Sequence, residues 1–307
     1  MDGINYDLII ITGPTASGKT AVAAGLANKL DGEVISADSR QVYRGMDIGS
    51  GKDYSDYSVD GRDVPYHLID IVDPGYKYNV YEYQHDFLKA YNDIGNRAKV
   101  PVVCGGSGMY IDSIVSGYTL LKVPPDMGLR KKLEKLSLPE LKEKLKSYRV
   151  LHNTSDIDNT KRAIRAIEIE EYYKNSAGGE VSFPELKSLI VGIKYDRDSR
   201  RRRITERLKA RLDEGMIDEV RSLMESGLSA ESLIYYGLEY KFVTLYLIGS
   251  MEYKEMFERL QTAIHQFSKR QMTWFRGMER KGIKIHWLDG YLPKDEKLNR
   301  ILKMAKL

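Results

Sequence analysis

Cysteine is almost absent from this sequence, and long apolar runs are missing. The single cysteine among 307 residues, Cys104, excludes an internal disulfide and any zinc site built on cysteines. No apolar segment approaches the ~20 residues that a membrane-spanning helix needs. The chain passes almost at once into a predicted strand, which leaves no room for the segments of a signal peptide. We therefore expect a cytoplasmic protein with no membrane partner.

A large excess of one charge is also missing. The sequence has 48 Lys and Arg and 44 Asp and Glu, which gives a net charge of +4. The basic residues are nevertheless unevenly placed. Between Lys194 and Arg211 the sequence has nine Lys or Arg and three acidic residues. A segment of this kind is typical of a surface that binds an anionic partner.

A glycine-rich run at 13–20, GPTASGKT, directly follows the apolar segment 8–11 and precedes a predicted helix. The glycines let the backbone wrap an anion, and the helix N-terminus directs N–H groups at it. Lys19 adds a full positive charge, and the Thr20 hydroxyl is expected to hold a Mg²⁺ ion that bridges phosphate oxygens. The residues expected to bind the phosphates are Gly13, Thr15, Ala16, Ser17, Gly18, Lys19 and Thr20.

Strand and helix patterns alternate along the first hundred residues and indicate a parallel sheet. The predicted strands are 8–11, 33–37, 100–104 and 189–193, and the predicted helices are 19–30 and 81–98. After the strand at 189–193, helical patterns dominate to the end. The fold class is therefore α/β, with a P-loop NTPase-like parallel-sheet core.

The character of the chain changes near Pro124, where Lys- and Glu-rich helical segments begin and continue to Asn175. A polar break at 176–182 follows. These features predict a helical insertion domain at 119–187 within a discontinuous core domain formed by 1–118 and 188–307. The length suits one large domain with an insertion, or two domains. We expect a monomer.

Two predicted strand ends carry polar residues beside the glycine-rich loop. One strand ends in DSRQVY at 38–43, and the other ends in GGSGMY at 105–110. In doubly wound sheets, ligands bind beyond the carboxyl ends of the strands. From the residues alone, Asp38 could be a magnesium ligand, a general base or a helix cap.

Five motifs occur together in an order that matches one known family. They are GPTASGKT at 13–20, DSRQVYRGMDIGSGK at 38–52, PYHLIDIVDP at 65–74, VCGGSGMYI at 103–111 and KRQMTWFR at 269–276. On these motifs the chain resembles the bacterial tRNA dimethylallyltransferases, also called tRNA isopentenyltransferases. The resemblance implies transfer of a dimethylallyl group from dimethylallyl diphosphate to N6 of adenosine 37 in tRNA.

The resemblance also implies roles for individual residues. Asp38 matches the catalytic aspartate, which would accept the proton of the adenine amine. Ser107 stands where the family usually has threonine and retains the hydroxyl. Arg203 and Arg207, four residues apart on one helical face, match arginines that face the active site, and one of them is expected to bind the diphosphate together with Lys19.

The family's tRNA contacts fall on three segments of this chain. An adenine stacked in the anticodon loop must be extruded before it can reach a buried diphosphate. The residues implied are Asp38, Ser39, Arg40, Gln41, Asn159, Lys161, Arg162, Arg165, Arg270 and Gln271. Two segments depart from the usual family pattern, at 159–162 and at 236–241. In the second, Glu239 stands where Lys or Arg is usual near the RNA, which predicts a weaker or shifted phosphate contact.

Other functions remain open on the sequence. A nucleotide kinase would use the loop for ATP and Asp70 for magnesium. An adenylate isopentenyltransferase would prenylate free AMP, ADP or ATP. An RNA-binding module with a vestigial loop is disfavoured because Lys19, Thr20 and Asp38 are all present.

Overall fold

A computed structural model describes residues 5–148, 157–175 and 183–306. The chain divides into two compact units, one formed by 1–117 with 184–307 and the other by 118–183. The predicted break at 176–182 lies outside the described residues. No helix within the described ranges has the length and apolar character needed to cross a membrane.

A six-stranded parallel sheet forms the centre of the first unit. The strands of the chain are β1 Leu8–Thr12, β2 Gly32–Ser36, β3 Ser58–Val59, β4 Arg62–Asp63, β5 Tyr66–His67, β6 Val100–Gly105, β7 Ser188–Lys194 and β8 Ile285–Asp289. Their order in the sheet is β5-β2-β6-β1-β7-β8, while β3 and β4 form a separate antiparallel pair. The α/β class with a parallel-sheet core is confirmed.

Helices cover the sheet and continue the chain through the second unit. They are α1 Lys19–Lys29, α2 Val80–Asn96, α3 Gly108–Val115, α4 Met127–Leu133, α5 Leu138–Lys146, α6 Thr160–Asn175, α7 Arg197–Asp213, α8 Met216–Glu225, α9 Ala230–Tyr235, α10 Leu238–Leu247, α11 Tyr253–Arg280 and α12 Lys294–Ala305. Local sequence sets several of their starts. Asn79 and Glu82 form a capping box at α2, and the Asp196 carboxylate accepts two backbone N–H groups at α7.

The central strands are mostly apolar and buried, because helices pack on both faces of a parallel sheet. β1 is buried along its whole length, and its register aligns Thr12 with Gly105 of β6 and Gly192 of β7. The ends of β1, β2 and β6 therefore lie at one edge. The glycine-rich loop, Asp38 and Ser107 all follow these ends.

The second unit has its own small core, built from leucines of α4 and α5 and the apolar face of α6. Glu168 is buried there, and its carboxylate accepts hydrogen bonds from the Arg130 and Arg165 guanidinium groups and from the Asp126 N–H. A buried carboxylate is tolerated when it is paired and hydrogen-bonded in this way.

Helices dominate the chain after β7 as predicted, and the edge strand β8 is an addition that the sequence pattern did not indicate. This edge strand buries only Ile285 and Leu288 fully, and His286 and Trp287 break its apolar pattern. A half-covered edge strand lacks the continuous apolar run that identifies the central strands.

Candidate active site

The loop between β1 and α1 has the backbone conformation of an anion cradle. Gly13 and Gly18 have φ values of 149° and 74°, which favour glycine. A Cβ on Gly13 would lie 2.5 Å from the Ile193 carbonyl oxygen, so no larger residue fits there. Helix α1 begins directly afterwards at Lys19, and its first N–H groups therefore face the loop.

Two polar groups of this loop are left ready for a ligand. The Ser17 hydroxyl is buried and has no hydrogen-bond partner within the described ranges. The Lys19 ammonium has no carboxylate within ion-pair distance among residues 5–148, 157–175 and 183–306. Burial lowers the pKa of Lys19, and the nearby Cys104 and Asp38 partly oppose this effect. A bound anion would supply the missing partner for both groups.

Gln271 of α11 ties the glycine-rich loop to the end of β6. Its Oε1 accepts the Thr15 N–H at 2.9 Å, and its Nε2 donates to the Gly106 carbonyl at 2.9 Å. The side chain is only 7% exposed. The structure thus places Gln271 as a brace inside the site, and the Thr15 N–H is already occupied.

Asp38 and Ser107 meet where β2 and β6 end. The Asp38 Oδ1 accepts the Arg40 N–H at 2.9 Å, and the Ser107 Oγ accepts the Ser39 N–H at 3.0 Å. The two chain segments approach so closely that a Cβ on Gly105 would lie 2.1 Å from the Ala37 carbonyl oxygen. No helix begins after Asp38 in this described segment, so the cap interpretation is wrong, and the carboxylate instead holds the turn through the Arg40 N–H.

Arg203 and Arg207 both lie beside the glycine-rich loop on α7. The Arg203 Nε donates to the Ala16 carbonyl at 3.0 Å, and its guanidinium lies 4.6 Å from the centre of the Tyr195 ring. The Arg207 Nη2 pairs with the Asp53 carboxylate at 2.5 Å. The geometry therefore brings both arginines to the loop.

The segment 44–53 carries structural contacts that the sequence analysis missed. The Glu219 carboxylate of α8 accepts three consecutive backbone N–H groups, those of Asp47, Ile48 and Gly49, at 2.8, 2.6 and 3.0 Å. The fully buried Lys52 ammonium contacts Asp47 at 2.7 Å and also pairs with Asp70. An anchoring contact between residues 170 positions apart leaves no local signal in the sequence.

Gln41 and Asp70, which the sequence offered for other roles, have structural partners. The Gln41 Oε1 accepts the Ser36 hydroxyl at 2.9 Å, and its Nε2 donates to the Gly51 carbonyl at 2.9 Å. Asp70 is paired with Lys52 and accepts the Tyr54 hydroxyl. This pairing disfavours the magnesium site that a kinase would need at Asp70.

An aromatic cavity of about 290 Å³ lies beside the Asp38 segment. Its lining includes Arg40, Ser107, Tyr110, Tyr235 and Trp274. The Arg40 guanidinium lies 5.9 Å from the centre of the exposed Tyr235 ring. The Trp274 Nε1 is buried and lacks a hydrogen-bond partner in the part of the chain that the structure describes. A planar ligand with a polar edge fits this combination of aromatic faces and free donors.

The remaining residues with an expected RNA contact occupy different surroundings. Arg270 is exposed on α11, and its guanidinium lies 6.0 Å from the centre of the Phe267 ring. In the second unit, Lys161 and Arg162 are exposed at the start of α6, where Asn159 accepts the Arg162 N–H at 3.0 Å. Arg165 instead donates to the Val123 carbonyl at 2.8 Å and to Glu168, which stabilises that unit.

A metal at this site would depend on few protein ligands. Among the described residues no three His, Cys, Asp or Glu side chains form a metal-binding group. Mg²⁺ commonly keeps several waters and is held by substrate phosphates with one or two protein ligands. The Thr20 hydroxyl at the start of α1 and the unpartnered Ser17 hydroxyl are oxygen donors of the required kind.

The loop after the central strand, together with the cationic groups around it, defines an α/β protein of the P-loop class. Residues 41–278 match the family model described as IPP transferase, and residues 6–62 match the one described as isopentenyl transferase. The chain belongs to the IPP transferase family, among its bacterial tRNA dimethylallyltransferases.

Relatives at high identity extend over almost the whole chain. A tRNA dimethylallyltransferase 2 of Bacteroides fragilis is 60% identical over 302 residues, which cover 98% of this chain and 99% of the relative. A tRNA dimethylallyltransferase 1 of Geotalea uraniireducens is 51% identical over 94% of each chain.

Solved structures share the fold. The tRNA isopentenylpyrophosphate transferase of Bacillus halodurans is 31% identical, covers 97% of this chain and 94% of its own, and superposes with a TM-score of 0.70. A eukaryotic dimethylallyltransferase acting on tRNA has a TM-score of 0.73 at 20% identity, over 92% of this chain and 73% of its own. The second likeness shows the fold alone.

Proposed function

We infer that this chain transfers a dimethylallyl group from dimethylallyl diphosphate to N6 of adenosine 37 in tRNA and releases diphosphate. In this step the bond from the prenyl carbon to the diphosphate oxygen breaks, the bond from that carbon to N6 forms, and N6 loses one proton. The observation that carries the inference is the convergence of the anion cradle, Asp38 and Ser107 at one sheet edge, in a chain of this family.

The cradle serves the leaving group. Diphosphate departs with developing negative charge, and preorganised N–H groups and cations stabilise such charge best in a partly buried site. We assign this stabilisation to the N–H groups of 16–20, the Lys19 ammonium and the guanidinium groups of Arg203 and Arg207. Thr20 would hold Mg²⁺, which supplies further positive charge to the phosphate oxygens when bound.

Asp38 acts as the base toward the adenine amine. Its carboxylate lies at the end of β2 near the Lys19 ammonium, and one of its oxygens is fixed by the Arg40 N–H. A fixed carboxylate beside the reacting carbon can accept the N6 proton as the new bond forms. Ser107 holds the Asp38 turn through the Ser39 N–H and offers its hydroxyl to the amine or the diphosphate.

The extruded adenine occupies the aromatic cavity, and the exposed basic residues hold the tRNA backbone. Arg40 and Ser39 line the cavity, and Tyr235 presents an exposed ring for stacking. Arg270, Lys161 and Arg162 are exposed cations suited to phosphate contacts. We assign Asn159, Gln41, Arg165 and Gln271 to the support of these surfaces. The enzyme acts as a monomer in the cytoplasm.

A transfer assay tests the function directly. Labelled dimethylallyl diphosphate and Mg²⁺ are offered with an unmodified tRNA that bears A37, with the same tRNA carrying G37, and with AMP, ADP and ATP. We expect label on the A37 tRNA alone. Label on a free nucleotide would assign the chain to the adenylate isopentenyltransferases, and phosphate transfer from ATP would favour a kinase.

The role of Asp38 is tested in the same assay. D38A should retain tRNA binding and lose turnover by at least ~100-fold, which is the low end of a general-base contribution. Full turnover of D38A would eliminate the base assignment. K19A should lose binding of the diphosphate donor, and an unchanged affinity would contradict the role of the cradle.

A further inference from the structure

Arg211 of α7 is a buried cation with an unused hydrogen-bond donor. The residue is 8% exposed, and its Nη2 has no hydrogen-bond partner within the described ranges. The nearest carboxylate oxygen, Oδ1 of Asp53, lies 3.9 Å away, which is too far for a hydrogen bond. A buried charged group with an unmet donor is costly, so its presence needs an explanation.

Arg211 lies close to the glycine-rich loop. Arg211 and Arg207 line a cavity together with Thr15 and Ala16 of that loop. The cavity has a volume of about 10 Å³, which is room for roughly one atom of the size of a water oxygen. Arg211 therefore belongs to the group of cations beside the loop, and an oxygen of a ligand seated there is the kind of partner that its Nη2 lacks.

Gly51 shows how closely the two guanidinium groups are set. A Cβ on Gly51 would lie 1.8 Å from the Arg211 Nη2 and 2.8 Å from the Arg207 Nη2. The Gly51 φ of 73° also favours glycine, and Gln41 holds its carbonyl at 2.9 Å. Glycine at position 51 thus leaves room for the guanidinium groups of Arg207 and Arg211.

The carboxylates around Arg211 do not fully balance its positive charge. Burial lowers the pKa of Arg211 and the like charge of Arg207 adds to this, while the carboxylates of Glu239 and Asp53 oppose the change. Asp53 is already bound to Arg207 at 2.5 Å. Burial raises the pKa of Glu239, and the neighbouring Arg211 partly opposes this change. An added anion would stabilise the arrangement.

We propose that Arg211 is a further diphosphate-binding residue, which donates its Nη2 hydrogen to an oxygen of the prenyl donor's diphosphate. Glu239 faces this cluster, so it acts as a local counterion of Arg211 and lowers the affinity for diphosphate. The proposal rests on the proposed function, because it assumes that the loop receives a diphosphate.

The test measures binding of inorganic pyrophosphate to the full-length protein by titration calorimetry, with Mg²⁺ and without tRNA. R211M should raise the dissociation constant 10- to 100-fold, because a charge-assisted bond is lost. K209M is the matched control, since Lys209 is exposed two residues away on the same helix, and it should change the constant less than twofold. An unchanged constant for R211M would overturn the proposal and leave a buried water as the partner of Arg211.

A second variant keeps the test independent of how R211M folds. E239Q removes the competing carboxylate and should tighten pyrophosphate binding 3- to 10-fold, whereas weaker binding would contradict the counterion role. The double variant R211M/E239K places a new cation at position 239 and should recover part of the pyrophosphate affinity that R211M loses. No recovery, with melting temperatures unchanged, would mean that charge in this cavity does not act on the ligand.

The outcome is separable from that of the proposed function. Pyrophosphate binding needs no acceptor, so it reports on Arg211 even if the parent protein fails to prenylate A37 tRNA. If the parent transfers the prenyl group and R211M retains the parent's pyrophosphate affinity, only the assignment of Arg211 fails.

Discussion

Two glutamine side chains brace the candidate site by hydrogen bonds, while the groups proposed for its chemistry are charged. Gln271 joins the glycine-rich loop to the end of β6, and Gln41 joins Ser36 of β2 to Gly51. Each amide uses one donor and one acceptor, and Gln271 does so between segments that are far apart in the chain. An amide can satisfy both partners at once without bringing a charge next to the glycine-rich loop.

Replacing Gln271 tests this bracing role at the residue scale. Q271A leaves the Thr15 N–H and the Gly106 carbonyl without partners, which should lower the free energy of unfolding by about 1–3 kcal/mol. The looser loop should raise the KM for dimethylallyl diphosphate more than the KM for tRNA. Urea unfolding and steady-state kinetics give both values.

Gln266 provides the control for that substitution, because it is an exposed glutamine of the same helix. Q266A should leave stability and both KM values unchanged. A Q271A enzyme with normal stability and an increased KM for tRNA alone would instead assign Gln271 to RNA contact.

At the scale of elements, helix α8 fixes the loop that carries the partners of the α7 arginines. Glu219 accepts N–H groups from three successive residues of the 44–53 segment and a hydroxyl from Tyr240 at 2.8 Å. A carboxylate that receives several N–H bonds holds a loop as firmly as a helix cap holds a helix end. The position of Asp53, and through it Arg207, depends on this anchor.

Loss of the Glu219 charge should therefore weaken diphosphate binding indirectly, through the positions of Asp53 and Arg207. E219Q keeps the shape but weakens three charge-assisted bonds, and we expect a loss of about 1–3 kcal/mol in the free energy of unfolding. The affinity for pyrophosphate should fall 3- to 10-fold by calorimetry. E225Q, an exposed glutamate of α8, should behave as the parent does. Parent-like binding by E219Q would show that the loop keeps its position without the anchor.

Ion pairs at the other end of β2 give the stability a pH dependence. Glu33 accepts hydrogen bonds from Arg97 at 3.0 and 2.7 Å and contacts His67, and the Arg97 bond is the main cause of the lowered pKa of Glu33. Because the folded-state pKa is lowered, the contribution to stability is present above pH ~4.5 and is lost as the pH falls through the folded-state value.

E33Q should reveal that contribution. We expect the variant to be less stable than the parent by about 1–2 kcal/mol at pH 7, and we expect a smaller difference at pH 3, since protonation removes the same charge. Urea unfolding at both pH values measures the difference. A constant difference across this range would mean that packing, and not charge, makes Glu33 important.

Elements differ in how far their sequence predicts them. The strands β1, β2, β6 and β7 are predicted because burial on both faces gives each of them an apolar centre. The two-residue strand β5 and the edge strand β8 lack that pattern. Motif residues such as Asp38 and Lys19 are found locally, whereas the contacts of Gln271, Glu219 and Arg211 join distant segments and require the fold.

At the scale of the whole molecule, the two units place different demands on the chain. The first unit carries the sheet and the candidate site, and the second has a separate core and exposed cations on α6. Backbone contacts to RNA phosphates release counterions, so each one adds to the salt dependence of binding. We propose that exposed cations of both units contact the tRNA.

The salt dependence of tRNA binding tests that proposal. R270A and K161A should each reduce the slope of log K against log salt concentration by about 0.7–0.9, and should leave pyrophosphate affinity unchanged. K303A removes an exposed cation of α12 and serves as the control. Equal slopes for all three variants and the parent would remove Arg270 and Lys161 from the RNA surface.

The only thiol of the protein lies beneath the site and gives it a built-in reporter. Cys104 is 6% exposed at the end of β6, and burial raises its pKa to about 11. An aromatic disulfide reagent can modify this sulfur only when the sheet edge opens, because a protonated, enclosed thiol is inert. The labelling rate should fall in proportion to occupancy as pyrophosphate and Mg²⁺ are added. The unaltered enzyme thus measures the opening of its own active site through a single atom.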